Sequence, residues 1–328
     1  MLKASAFYQS TKRRLDEYGV FEESILHEIA SFADTQRNFA TYQDFFQAMG
    51  VGSAKIYSTP SGDAVPYIDI PARQPEVGVI VIHASMMTAL DENQRYQLAT
   101  IAGTNPEYRV IGFGNPSDDQ YYVKGQGLTF FKRLKIIGTR KKYPLVAAEL
   151  AYLRSQGIRG AYHIGYSYGA LKAAIAALST SSGQLAGLLL VDPVAKPRPI
   201  LKLLKDFKKT YEPLGTYVNQ TNLKAFHEAR GQAAKNRAYN TALLRPINRT
   251  IGWILSRVDI VSLLRRNISA HPAAKFAVAW GTESELGDDA RLRSGTKGMI
   301  TFRLRGAKHA FANDIHLHAA IIRQFLMR

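Results

Sequence analysis

The chain contains no cysteine. That excludes disulfide cross-links, thiolate nucleophiles and cysteine-ligated zinc or iron–sulfur centres, and it is compatible with a reducing compartment. Long apolar runs are missing too, since no uninterrupted stretch reaches the roughly 20 residues that cross a bilayer as a helix. Residues 1–14 hold no apolar stretch of the kind a secretory leader needs. A soluble intracellular, cytoplasmic location is therefore expected. Internal repeats and low-complexity tracts are also lacking, which argues against a solenoid or a disordered linker protein.

Acidic residues are in short supply. There are 26 Asp and Glu against 43 Lys and Arg, a formal charge of +17. The shortage is local. Residues 1–50 carry −2, residues 51–192 carry +4, and residues 276–328 carry +3. Residues 193–275 alone carry +12, with 16 basic side chains and 4 acidic ones. The stretch Tyr121 to Tyr143 adds seven Lys and Arg with no Asp or Glu.

What is present is a repeating α/β rhythm. At 328 residues and 46% hydrophobic content the chain can bury one large core with an insertion, or two smaller ones. Residues 1–50 read as an amphipathic, helical N-terminal extension. Residues 54–70 alternate around Pro60-Ser61-Gly62-Asp63 and read as a hairpin. From Val77 to His83 the pattern becomes a continuous apolar run, as in a parallel strand buried on both faces. Further strands are expected at 108–113, 161–166, 187–191, 276–281 and 299–304, with helices near 89–102, 144–156 and 314–327. This alternation implies a mostly parallel, doubly wound sheet. Residues 194–274 interrupt it with helical stretches and no strong strand. The expected organisation is an extension over 1–50, a core over 51–193 and 275–328, and a basic helical cap over 194–274.

The most informative motif is Gly165-Tyr166-Ser167-Tyr168-Gly169. This is the G-x-S-x-G pattern of a nucleophile elbow, with a strand before it and an Ala-rich helix after it. A serine on so sharp a turn takes a strained backbone and gains an exposed hydroxyl beside a helix N-terminus. Serine-based acyl chemistry also needs a base, an acid to orient it and donors for an oxyanion. His309, between the last strand and the last helix, is the candidate base. Glu285 leads the candidate acids, followed by Asp192, Glu283 and Asp288, each of which is also placed to cap a helix. The oxyanion donors are expected to be the main-chain N–H groups of Tyr168 and of Ser85, with Met86 as the alternative to Ser85. The other histidines show no metal-ligand spacing, and no metal or other cofactor is expected.

With these residues in place, the chain resembles the α/β-hydrolase superfamily over roughly 52–192 and 275–328. The insertion at 194–274 falls where many members carry a lid. Many members have His-Gly after the first long strand, where this chain has His83-Ala84. Many have an acid three residues beyond the glycine closing the penultimate core strand, where this chain has Ser284. A variation that moves the acid one residue on favours Glu285, and the Asp-Pro of some lipases favours Asp192. The resemblance implies an esterase, lipase, thioesterase, amidase or acyltransferase, and no cofactor. The competing expectation is an inactive member of the fold that binds or assembles through its basic surface. The partner expected is a small-molecule or lipid acyl substrate, anionic if the basic surface recognises it, with peripheral membrane contact as a further expectation. No nucleic-acid motif occurs, so nucleic acid is not an expected partner.

Overall fold

The computed structural model describes residues 5–83, 92–114, 143–181, 183–195, 257–309 and 314–328, and the single positions 134, 197, 199, 202 and 311. Three helices come first: α1 (Ala6–Asp16), α2 (Glu23–Gln36) and α3 (Tyr42–Ala48). The last of these starts with a capping box. The Thr41 hydroxyl accepts from the Asp44 N–H while the Asp44 carboxylate accepts from the Thr41 N–H, which satisfies two donors at the helix start.

The expected hairpin follows as β1 (Lys55–Ser58) and β2 (Ala64–Ile70), paired antiparallel. Gly62 sits in its turn at φ +76°, in the left-handed region that glycine enters without a Cβ penalty. Then strands and helices alternate: β3 (Gly78–His83), α4 (Glu92–Thr104), β4 (Tyr108–Phe113), α5 (Ala147–Ser155), β5 (Ala161–Tyr166), α6 (Tyr168–Leu178), β6 (Leu185–Val191), α7 (Ile260–Ala270), β7 (Lys275–Gly281), α8 (Asp289–Gly295), β8 (Ile300–Leu304) and α9 (Ile315–Met327).

These strands make one eight-stranded sheet in the order β1-β2-β4-β3-β5-β6-β7-β8. Only β1 with β2 and β2 with β4 run antiparallel; all other neighbours are parallel. Alternate residues of each strand serve opposite faces. Val79 and Val81 of β3 join the core under α5, α6 and α7, while Ile80 and Ile82 join the core under the N-terminal helices, α4 and α9. Burial on both faces explains the continuous apolar runs. Each fully buried aliphatic side chain there contributes about 1.5–3 kcal/mol over leaving it exposed.

The N-terminal helices are integral to the second core. Ile25, Leu26 and Ile29 are buried with Phe325 and Ile322 of α9, and the Gln324 side-chain carbonyl accepts from the Glu22 N–H at 2.8 Å. Within the stretch expected as a cap, Ile260–Ala270 is a helix against α6, where the Asn267 side-chain amide donates to the Ala174 carbonyl at 3.0 Å. Lys196, Arg198, the basic residues expected between 203 and 256, and those of the stretch Tyr121 to Tyr143 lie outside the described residues. No helix of the described residues is long and apolar enough to cross a membrane.

Candidate active site

The elbow forms where β5 meets α6. Ser167 has φ 57° and ψ −116°, a backbone state that costs a non-glycine residue of order 1–3 kcal/mol. Its N–H donates to the Val191 carbonyl at 2.9 Å, tying the turn to the end of β6. The turn is so tight that a Cβ on Gly165 would lie 2.0 Å from the Gly169 carbonyl oxygen. The first glycine of the motif is thus required by the close approach of helix to strand.

Among the described residues, only one other non-glycine residue has a positive φ. It is Asp192, at φ 40°, directly after β6. Its carboxylate is completely buried. One oxygen accepts from the Gly281 N–H at 3.0 Å. The other accepts from the Ser284 hydroxyl and from His309 Nδ1–H, each at 2.5 Å. Three donors satisfy a carboxylate that burial alone would make costly. On the far side of the imidazole, His309 Nε2 lies 2.9 Å from Ser167 Oγ. The chain Asp192–His309–Ser167 is continuous, although its members lie up to 142 positions apart in sequence. It can take a proton from the hydroxyl at one end and stabilise the resulting imidazolium at the other.

His309 reaches this position from a loop fastened to the end of β7. The Thr282 and Glu283 N–H groups donate to the Leu304 and Ala307 carbonyls, both at 3.0 Å. A Cβ on Gly281 would lie 2.1 Å from the Ala307 oxygen, so that glycine lets the loop lie close. The Tyr166 ring stacks on the imidazole with centroids 5.1 Å apart.

The acid expected to face His309 was Glu285. The structure differs: the Glu285 carboxylate accepts from the His309 main-chain N–H at 3.2 Å, and Asp192 faces Nδ1. The physical reason is reach. The left-handed backbone at 192 turns the carboxylate off the end of β6 toward the imidazole, and Ser284 contributes a hydroxyl donor to that carboxylate. Glu283 is exposed. Asp288 caps α8, accepting from the Arg291 N–H at 3.0 Å. Tyr168 opens α6, where the first main-chain N–H groups have no intrahelical acceptor. Ser85 and Met86 lie outside the described residues.

A second buried polar chain lies beside the first, and no sequence motif marks it. His83, the last residue of β3, pairs through Nδ1 with Glu149 of α5 at 2.7 Å. Its Nε2 is 2.9 Å from His163 Nδ1. Lys172 of α6 pairs with the other Glu149 oxygen at 2.5 Å and donates to the Gly114 carbonyl at 3.2 Å. Burial pushes the Glu149 carboxyl up, but the Lys172 ammonium and His83 outweigh it and hold the group below its ordinary value. Burial, then the charges of His83 and His271, push His163 well below the usual histidine range. A lysine inside the apolar run Ala170-Leu171-Lys172-Ala173-Ala174 was the available sign of this chain. Among the described residues no cluster of His, Asp and Glu is arranged to hold a metal ion.

No family model matches this sequence, and no match was found among curated proteins. Solved structures are similar in fold. An α/β-hydrolase enzyme, MGS-M2, from a Medee basin deep-sea metagenome library superposes with a TM-score of 0.56 at 13% identity, covering 84% of this chain and 98% of that one. A bromoperoxidase from Bacillus anthracis gives 0.54 at 12%, covering 84% and 100%. A thermophilic esterase from Thermogutta terrifontis gives 0.53 at 13%, covering 84% and 98%. The mostly parallel eight-stranded sheet, flanked by helices, has the α/β-hydrolase fold.

Proposed function

We propose that this protein is a serine hydrolase that cleaves a carboxylic ester or a related acyl substrate through an acyl-enzyme on Ser167. The observation that carries this reading is the hydrogen-bonded run from Ser167 Oγ through His309 to Asp192. It sits at the carboxyl ends of β5, β6 and β8, where open α/β sheets bind their ligands.

In the proposed reaction His309 Nε2 takes the Ser167 proton as Oγ attacks the acyl carbon. The carbonyl oxygen becomes an oxyanion. The Tyr168 N–H, at the positive end of α6, is one donor to it, and the N–H of Ser85 or Met86 is the second. Each such donor typically supplies ~3–4 kcal/mol of transition-state stabilisation. The intermediate collapses as His309 returns the proton to the leaving group. Water, activated by the same imidazole, then releases the acid and restores Ser167. Asp192 keeps the proton on Nδ1, so that Nε2 is free to accept, and its charge offsets the imidazolium.

The charge distribution supports an anionic acyl substrate or an anionic lipid surface as the target. The segment carrying +12 begins at Pro193, one residue beyond Asp192. The basic stretch 121–143 follows the carboxyl end of β4. The strands that precede both segments, β4 and β6, end at the edge of the sheet that bears Ser167. Exposed charges act over about 10 Å at ~0.1 M salt, which suits capture and orientation of a substrate more than bond breaking.

The test is rapid-mixing hydrolysis of p-nitrophenyl esters graded by acyl length. The wild type is expected to release a burst of p-nitrophenol matching the enzyme concentration and then to turn over. Ser167→Ala is expected to show neither phase. A Ser167→Ala protein with wild-type turnover would overturn the reading.

A further inference from the structure

The site holds His309 by more than its ring. We propose that Tyr166 and Glu285 are positioning residues that clamp the main chain of His309 and so set the distance from its imidazole to Ser167. The inference rests on the hydrolase reading and adds two residues to it.

His309 lies in a loop beyond β8, and loops are the most mobile parts of a fold. A base must be held within roughly 0.5 Å of its working position. Asp192 and Ser167 grip the two ring nitrogens, but a ring gripped only at its nitrogens swings with its backbone. Both polar groups of the His309 residue are occupied. Its N–H donates to the Glu285 carboxylate at 3.2 Å, and its carbonyl accepts from the Tyr166 hydroxyl at 2.8 Å. The Tyr166 ring also covers the imidazole face at an interplanar angle of 30°.

The placement of these two residues gives the clamp its logic. Tyr166 is the last residue of β5 and the immediate neighbour of Ser167. One rigid strand end therefore carries the nucleophile and the hydroxyl that holds the base's carbonyl. Glu285 stands in the segment after β7, beside Ser284, which donates to Asp192. That segment thus holds both the acid and the base's N–H. The clamp ties the Ser167 and Asp192 anchor points to the main chain of one residue, His309, through the two peptide units that flank it. It also gives the carboxyl group of Glu285 a task that needs an acceptor but no charge.

The experiment compares Tyr166→Phe, Glu285→Ala and Glu285→Gln with wild type on one p-nitrophenyl ester. A fluorophosphonate titration counts the competent molecules, so that misfolded protein drops out of kcat. Removal of a single hydrogen bond of this kind is expected to lower kcat per competent molecule about five- to tenfold, with KM held within about twofold, in Tyr166→Phe and Glu285→Ala. Glu285→Gln is expected near wild type, because its side-chain carbonyl still accepts from the His309 N–H. A Tyr166→Phe enzyme equal to wild type, or a Glu285→Gln enzyme as slow as Glu285→Ala, would overturn the clamp. Wild type that hydrolyses the ester while all three variants match it overturns the clamp alone. Wild type that neither titrates nor turns over overturns the hydrolase reading and the clamp with it.

Discussion

Two buried polar chains touch α6, and they are built in opposite ways. The chain Asp192–His309–Ser167 is assembled from strand ends and loops. Two of its three members have left-handed backbones, and it ends on the hydroxyl of Ser167, a residue that is 6% exposed. The chain His163–His83–Glu149–Lys172 is assembled from β5, β3, α5 and α6 themselves. None of its members has a positive φ, and it ends on the main-chain carbonyl of Gly114. Burial and charge are common to both, so neither property marks a reactive site. The difference lies in backbone strain and in what the terminal group faces. Strain is stored where a side chain has to be presented; the inner chain locks helix to sheet.

The comparison predicts where each substitution is felt. Ser167→Ala and His309→Ala are expected to remove essentially all esterase turnover while leaving the urea unfolding midpoint close to wild type. Asp192→Asn is expected to lower kcat by ~10⁴, as loss of the orienting acid does in serine hydrolases generally, with Glu285→Gln close to wild type beside it. If Glu285→Gln is crippled and Asp192→Asn is not, the roles of the two carboxyl groups are reversed.

The inner chain is expected to respond in stability and not in chemistry. Lys172→Met leaves the Glu149 carboxylate buried without its cation, which costs about 3–5 kcal/mol. Replacing both, as Lys172→Met with Glu149→Gln, is expected to recover much of that loss, since no uncompensated charge remains. Denaturant unfolding followed by circular dichroism measures both variants. A Lys172→Met protein of wild-type stability with greatly reduced kcat would place the inner chain in the reaction and break the comparison.

Acid supplies a third test. His163, His316 and His318 are buried and held below the ordinary histidine value of 6.5; His316 is brought down to about 3 and His318 to about 4, in both by burial first. A group with a depressed folded pKa gives its full stabilisation above the unfolded value and loses it as the pH falls. Glu149, also depressed, acts in the same direction below its ordinary 4.5. Each histidine contributes ~1.4 kcal/mol per pH unit once the pH is well below 6.5. Between pH 6 and pH 5 His316 and His318 together are expected to remove about 2–3 kcal/mol, with His163 acting in the same direction. Urea titrations across that interval check it, and a flat profile would contradict it.

The smallest expected effect concerns the basic segment. Lys205→Glu with Lys208→Glu and Lys209→Glu is expected to weaken capture of an anionic ester or vesicle several-fold, and to leave hydrolysis of a small neutral ester nearly unchanged. Added salt is expected to mimic the reversal in wild type. Equal responses of both substrates would reduce the segment to a solvated surface.

Much of this was legible in the amino-acid order. The strands stood out because burial on both faces forces continuous apolar runs, as in Val79-Ile80-Val81-Ile82. Ser167 stood out because the elbow needs Gly165, and His309 because it follows the last strand. The choice between Asp192 and Glu285 was not legible. It depends on the backbone sign at residue 192 and on the β6–β7 register that brings Gly281 and Ser284 to its carboxylate. The inner chain was hidden for a related reason. Glu149 meets Lys172 from a different helix, 23 positions away, and nothing in the local pattern of either predicts the other.

The central claim is that Ser167 is the residue that becomes covalently attached to substrate. The most direct measurement is peptide mapping by mass spectrometry after reaction with a fluorophosphonate. The account predicts one adduct per chain, on Ser167, and none in His309→Ala over the same time. An adduct on another serine, or an active enzyme whose Ser167 peptide stays unmodified, would contradict it.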